Sequence, residues 1–304
     1  MGDSLVGPLK KNLHVPDHTA PLRPLLAPGA GLVIPGAANA LAARIIESVG
    51  FPVVYVTGAG VANSFLGAPD IGLTTATEMV AHIATIREAV DIPIIADGDT
   101  GFGNALNVIR TVKRYERAGA NAIQLEDQVF PKRCGHFEGK SVISQREMVQ
   151  RIEAAVDARN DPEFLIMART DARAIEGLDA ALERIAAYRK AGADILFVEA
   201  PQSLEELRQI PKAVPGAHMS NIVFGGKTPM LAREELGAMG FAGILYANAA
   251  MQAAMLAMKS ALEHLQTTGS LAGIEDQILG FADRQTFVKY AAWNSLEARY
   301  ANPK

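Results

Sequence analysis

An α/β fold of the (β/α)8 TIM-type barrel, with an extra C-terminal helix, is the architecture this chain predicts. Eight short apolar runs alternate with longer amphipathic segments from residue 31 onward. The runs are almost continuously apolar, as parallel strands are when both faces are covered. Polar residues stand at or just after the C-terminal ends of successive runs, the end at which such barrels carry their sites.

Residues 1–30 contain Pro8, Pro16, Pro21, Pro24 and Pro28. Proline fixes φ and removes a donor, so this stretch is expected to be an extended arm. The barrel is expected over 31–270. Its strands are read at Gly31–Pro35, Val53–Thr57, Pro93–Asp97, Ala122–Glu126, Phe164–Arg169, Ile195–Glu199, His218–Val223 and Gly243–Tyr246. Helical patterns between them include Ala105–Arg117, Gln145–Arg159, Leu178–Lys190 and Leu204–Ala213. Gly119, Gly192 and Gly240 each close such a segment, where a left-handed residue is wanted. Ala249–Gln266 reads as the eighth barrel helix. Residues 271–304 are left over. Within them Glu275–Arg299 carries Phe281, Phe287, Tyr290, Trp293 and Leu296 at rough helical spacing, a stripe that needs a partner in its own barrel or in a neighbouring subunit.

The chain has 304 residues, a formal charge of -4 and one cysteine. No basic field invites nucleic acid. No apolar run reaches the roughly 20 residues that span a bilayer. A lone cysteine makes no internal disulfide, which fits a reducing compartment. The N-terminal MGDSLVGPLKK has no signal-type apolar region, and Val6 stands where a myristoylation motif wants Ser or Thr. A cytoplasmic enzyme or binding protein is therefore expected.

The single cysteine lies in Lys132-Arg133-Cys134-Gly135-His136, among potentially cationic side chains that tune a thiol's acidity. The surrounding segment, 130–143, reads as a gating loop. Asp97-Gly98-Asp99 ends one strand with hard oxygen donors suited to Mg2+, although a turn with capping carboxylates would look the same. Glu126-Asp127 ends the next strand, where either residue can serve a metal through water, cap a helix or pair with Lys132. Arg169 can grip a carboxylate by two parallel bonds or form a salt bridge with Asp171 or Glu199. Asn221 and Thr57-Gly58-Ala59-Gly60 can donate hydrogen bonds to a carboxylate or oxyanion. Metal, carboxylates and a tuned thiol together suggest carbanion or enolate chemistry.

Seven motifs then fall in order: Tyr55-Val56-Thr57-Gly58-Ala59-Gly60, Gly67-Ala68-Pro69-Asp70-Ile71-Gly72, Asp97-Gly98-Asp99-Thr100-Gly101-Phe102-Gly103, Gln124-Leu125-Glu126-Asp127-Gln128, Lys132 to His136, Met167-Ala168-Arg169-Thr170-Asp171-Ala172 and Asn221-Ile222-Val223. With them the chain resembles the isocitrate lyase/phosphoenolpyruvate mutase superfamily over nearly all of residues 28–300. The cysteine motif is similar to the lyase branch, which holds the methylisocitrate and dimethylmalate lyases. Phe137-Glu138-Gly139-Lys140 is nearer to dimethylmalate lyase and carboxyphosphonoenolpyruvate mutase. The resemblance implies a homotetramer that swaps the extra helix. It implies Mg2+, with Mn2+ as the substitute, held by Asp97, Asp99, Glu126 and Asp70 directly or through water. Cys134, His136, Lys132, Tyr55 and Arg169 are the implied catalytic set. Thr57, Gly58, Ala59, Asp97, Arg169, Glu199 and Asn221 are the implied substrate set.

The implied reaction is Mg2+-dependent carbon–carbon cleavage of a substituted malate-type 2-hydroxy di- or tricarboxylate, giving an α-keto acid and a carboxylic acid. Hydrolysis of oxaloacetate and P–C mutase chemistry are the enzymatic alternatives, and a non-catalytic Mg2+–carboxylate binder is the alternative of another class. One departure stands out. Phe224 replaces the glutamate of the usual Asn-Met-Val-Glu-Gly-Gly, which is expected to favour an alkyl-substituted substrate near the pocket.

Overall fold

Eight parallel strands close on themselves in sequence order: β1 (Leu32–Ala37), β2 (Val54–Val56), β3 (Ile94–Asp97), β4 (Ala122–Glu126), β5 (Leu165–Thr170), β6 (Ile195–Val198), β7 (Ala217–Asn221) and β8 (Phe241–Tyr246). The computed structural model describes residues 21–133, 135 and 139–301. Each strand pairs with the next, and β8 returns to β1 through Leu32–Gly243 and Pro35–Tyr246. The expected barrel is therefore the fold.

Strand alternation sorts the apolar residues into two cores. Tyr55, Ile95, Met167, Phe197, Met219 and Leu245 point inward and fill the barrel. Val54, Val56, Ile94, Ile123, Ile166 and Leu196 point outward and pack under the helices. Helices over Ala105–Arg117, Gln145–Ala158, Leu178–Lys190 and Leu204–Ala213 match the amphipathic segments. Gly119, Gly192 and Gly240 follow helices with φ of 93°, 105° and 109°, the left-handed closure the sequence suggested.

Three regions depart from expectation. Within the proline-rich segment, Arg23–Leu26 forms a 3-10 helix rather than an extended arm. Its flanking Leu22 and its Leu26 are buried in the inner core, and Arg23 pairs with Glu163 and Asp194. Burial of two leucines outweighs the extended preference set by proline spacing. Residues 1–20 lie outside the described residues.

The helix over Ala249–Thr268 has no buried residue, so it does not cover the barrel as the other helices do. The aromatic segment is not one helix. It divides into a 3-10 turn at Glu275–Gln277 and helices over Phe281–Phe287 and Tyr290–Ala301. Lys289 between the last two has φ of 56°, a left-handed backbone that no continuous helix contains.

Candidate active site

The inward parity of each strand continues past its apolar residues into polar ones. Asp97 follows Ile95, Glu126 follows Ala122 and Gln124, Arg169 follows Met167, and Asn221 follows Met219, each by steps of two. They meet at the C-terminal mouth around a cavity of about 170 Å³. One wall is acidic, formed by Asp70, Asp97 and Glu126. Arg169 continues the lining beside Glu126 on the adjoining strand, followed by Glu199 and Asn221. Val223, Leu245 and Ala247 make an apolar side, and Tyr55, Thr57, Ala59 and Asn248 complete the floor and rim. Lys132, Arg133 and Gly135 of the expected gating loop also line it.

The acidic wall is held by a chain of hydrogen bonds. Asp97 Oδ2 accepts from Gly58 N at 3.3 Å, and Oδ1 accepts from Asp99 N at 3.1 Å and Gln124 Nε2 at 3.2 Å. A Cβ on Gly58 would stand 2.8 Å from Asp97 Oδ2, so only glycine lets that backbone approach. Asp99 adopts φ of 47°, a left-handed conformation that aspartate tolerates better than most residues. Tyr55 donates its hydroxyl to Gln124 Oε1 at 3.0 Å. Burial, reinforced by Asp97, pushes the Tyr55 phenol well above its usual range, so it keeps its proton at neutral pH.

Lys132 Nζ reaches into this wall and lies 2.5 Å from Asp70 Oδ1 and 2.8 Å from Asp99 Oδ1. Burial alone would lower its pKa, but Asp99, Glu126, Asp97 and Asp70 hold it well above the usual value. It is therefore a fixed positive charge. Burial raises Asp99 to about 6 against the opposing pull of Lys132. Burial likewise raises Glu126 well above the carboxylate range, against the pull of Arg169.

Arg169 takes both salt-bridge partners that its sequence position allowed. Its Nε and Nη2 donate to Asp171 at 2.9 and 3.1 Å, and its Nε lies 3.6 Å from Glu199 Oε2. Its Nη1 lies 3.4 Å from Glu126 Oε2. Asp127 has the opposite parity and faces the helix layer. There it accepts from Thr170 Oγ1, Tyr188 OH and the Asp171 backbone at 2.7, 2.8 and 2.9 Å, and it makes no bond to Lys132.

The structure thus gathers Tyr55, Thr57, Ala59, Asp70, Asp97, Glu126, Lys132, Arg169, Glu199 and Asn221 around one cavity. Gly58 and Asp99 stand behind the lining and support Asp97. Cys134 and His136 lie outside the described residues. Phe224 corrects the sequence expectation. It is 76% exposed and does not line the cavity, because the chain turns outward after Val223. Sequence reasoning missed Gln124, Asn248 and Lys140. Gln124 was findable, since it shares the inward parity of Glu126; the other two are loop residues with no periodic signal.

A family model described as phosphoenolpyruvate phosphomutase matches residues 22–266. The chain belongs to the phosphoenolpyruvate mutase/isocitrate lyase superfamily. It is 47% identical to the 2,3-dimethylmalate lyase of Eubacterium barkeri over 93% of this chain and 98% of that one. A crystal structure of a 2,3-dimethylmalate lyase superposes with a TM-score of 0.87 at 35% identity, covering 93% of this chain and 96% of that one. A phosphonopyruvate hydrolase solved with oxalate and Mg2+ gives 0.82 at 28% identity, covering 92% and 98%.

That superfamily neighbour holds a divalent cation, and the acidic residues here bear on whether this chain could hold one. Among the described residues no three carboxylates, histidines or cysteines converge on one point as a closed ligand shell. The implied four-carboxylate set is thus not a preassembled cage, because like charges keep apart and the Lys132 ammonium stands between Asp70 and Asp99. The donors nevertheless fit a hydrated Mg2+, which needs only one or two direct carboxylates. Glu126 Oε1 is buried with no hydrogen-bond partner among the described residues, and Asp97 lines the cavity. Among the described residues, Lys132 and Arg169 are the cations that pair with the set Asp70, Asp97, Asp99 and Glu126.

Proposed function

We propose that this chain is a carbon–carbon lyase that cleaves a substituted malate-type 2-hydroxy di- or tricarboxylate into an α-keto acid and a carboxylic acid, with Mg2+ or Mn2+ as cofactor. The observation that carries this reading is the cavity's division of labour. Hard oxygens and the adjoining Arg169 guanidinium line one cavity, with an apolar strip of Val223, Leu245 and Ala247 for an alkyl substituent. The similarity to dimethylmalate lyase points the same way.

Asp97 would hold the cation, with Asp70, Asp99 and Glu126 assisting directly or through water; when bound it supplies Lewis acidity at the substrate's carboxylate and 2-hydroxyl oxygens. Arg169, whose Nε and Nη2 are held by Asp171, would bind a substrate carboxylate through the remaining N–H groups of its Nη1/Nη2 end. Lys132 keeps its charge and lends positive potential to the same region. Tyr55, held protonated by burial, orients Gln124 and through it Asp97 rather than acting as the base. The hydroxyl proton leaves to a base, the C2–C3 bond breaks, and C2 becomes a carbonyl. The electron pair delocalises from C3 into its carboxylate as an enolate. Cys134, next in the chain to the cavity-lining Gly135, donates the proton that C3 takes up. His136, two residues on, would tune that thiol.

The test is a panel of 2,3-dimethylmalate, 2-methylisocitrate, 2-methylmalate, isocitrate and oxaloacetate with Mg2+, following α-keto acid release. Turnover of a substituted malate, abolished by EDTA and largely lost in Cys134→Ser, is expected. No turnover of any 2-hydroxyacid would leave only a binding protein.

A homotetramer in the cytoplasm is the proposed setting. Support for assembly comes from Met255, Leu256, Met258, Leu262, Phe281 and Trp293, all more than half exposed along the C-terminal helices. Whether those helices swap is read by cross-linking. Support for the compartment is the single cysteine.

A further inference from the structure

One buried ammonium has no part in the mechanism above. Lys140 has a side chain only 2% exposed. Its Nζ donates to Asp171 Oδ1 at 2.7 Å and to the backbone carbonyl of Gly135 at 2.5 Å. Asp171 is the carboxylate that holds Arg169 by two bonds. Gly135 lies directly on that guanidinium. A Cβ at this position would stand 2.4 Å from Arg169 Nη2 and 2.7 Å from Glu199 Cδ. The same ammonium therefore touches the carboxylate behind Arg169 and the backbone in front of it.

We propose that Lys140 is a positioning residue for substrate binding: it seats the Gly135 backbone over Arg169 and shares the charge of Asp171, which leaves Arg169 oriented and available to a substrate carboxylate. Asp171 stays ionised in this arrangement because Arg169 and Lys140 together overcome the cost of burying it. With Lys140 neutral, Asp171 would draw Arg169 back as its sole cation, and the Gly135 carbonyl would lose its donor. A buried charge pair with one partner removed is costly because the remaining charge has no compensation. Asp171 itself is fixed from behind, since its backbone N–H donates to Asp127 at 2.9 Å. Movement would therefore fall on Arg169 and Gly135.

The proposal rests on Arg169 as the carboxylate grip, and oxalate with Mg2+ is the probe because it reads that grip without turnover. Calorimetry of Lys140→Met should show oxalate binding weakened about tenfold, the loss of one charge-assisted hydrogen bond. For a lyase substrate, kcat/KM should fall on the order of 100-fold, as misplacement of a binding group by about 1 Å does. A lysine that served stability alone would couple to Asp171 in unfolding but leave oxalate affinity unchanged, so the coupling is read on oxalate. Hence Lys140→Met and Asp171→Asn should be non-additive for oxalate, the double variant binding no worse than Lys140→Met alone. Additive losses, or wild-type oxalate affinity in Lys140→Met, would overturn the proposal.

If Lys140→Met does not fold, Gly135→Ala decides, because its methyl group collides with Arg169 Nη2. Weakened oxalate binding there supports the proposal, and wild-type affinity overturns it. Oxalate binding by the wild type without turnover of any 2-hydroxyacid would count against the lyase reading alone.

Discussion

Gln124 Nε2 donates to Asp97 Oδ1 at 3.2 Å, so a neutral amide from β4 fixes the central carboxylate of β3. The amide oxygen is in turn oriented by Tyr55 OH at 3.0 Å. Both partners of the amide are buried residues at the cavity lining. Groups that orient a metal-binding carboxylate contribute to its metal affinity alongside the ligand itself.

Gln124→Met removes both bonds with little change of volume. Mg2+ affinity should fall by about 10- to 100-fold. Titration of Mg2+ by calorimetry in the presence of oxalate reads this, and an unchanged constant would remove Gln124 from any role in holding Asp97.

Lys132 is the only cation in contact with Asp70 and Asp99 among the described residues. Lys132→Met leaves two buried carboxylates uncompensated, at a cost of about 3–5 kcal/mol. Urea unfolding without metal should show that loss. Adding Mg2+ should restore more stability to the variant than to the wild type. Equal responses of both proteins to Mg2+ would show that the ammonium and the cation do not act on the same charges.

His218 carries a pH signature away from the site. Burial lowers its pKa, with the Val214 carbonyl opposing and Arg189 adding to the shift. Nε2 bonds Val214 O at 2.5 Å, while Nδ1 is buried with no partner among the described residues. A proton added to the folded state would therefore sit on an unsatisfied nitrogen. Because the folded pKa lies below the unfolded one, this group's stabilisation is complete above the unfolded value of about 6.5 and is lost as pH falls below it. His218→Gln should flatten that part of the stability profile between pH 7 and pH 5. An identical slope in both proteins would assign the loss to other groups.

Phe224 is expected to be silent in substrate choice. Its ring is 76% exposed and absent from the cavity lining. Phe224→Glu should leave the ratio of kcat/KM values across the substrate panel within about twofold, the scale of exposed substitutions away from a site. A changed ranking of substrates would bring the segment after Val223 back into the pocket.

Legibility in the sequence followed the strength of local patterns. The eight strands were readable because each is a short apolar run fixed by backbone pairing on both sides. Ala122–Glu126 and Ala105–Arg117 match to the residue, while β1 and β7 shift by one or two at their ends. The acidic and basic residues at strand ends were readable as a set, yet Glu126 and Asp127 were not separable. Their difference is one of parity: Glu126 turns into the cavity, and Asp127 turns out to Tyr188. Arg23–Leu26 was misread because proline content speaks to local backbone preference, whereas Leu22 and Leu26 answer to a hole at the bottom of the barrel.

By itself the sequence determined the barrel, the face on which its site lies and the residue types that gather there, because strand periodicity and strand ends are local properties of the chain. Only the tertiary structure decided which of those residues touch. The Lys132 ammonium lies against Asp70 from a segment far away in sequence. Lys140 reaches Asp171 across 31 residues, and Phe224 turns away from a pocket that its neighbour Val223 lines. Loop paths are set by long-range charge pairing and burial, and no periodicity in the chain encodes them.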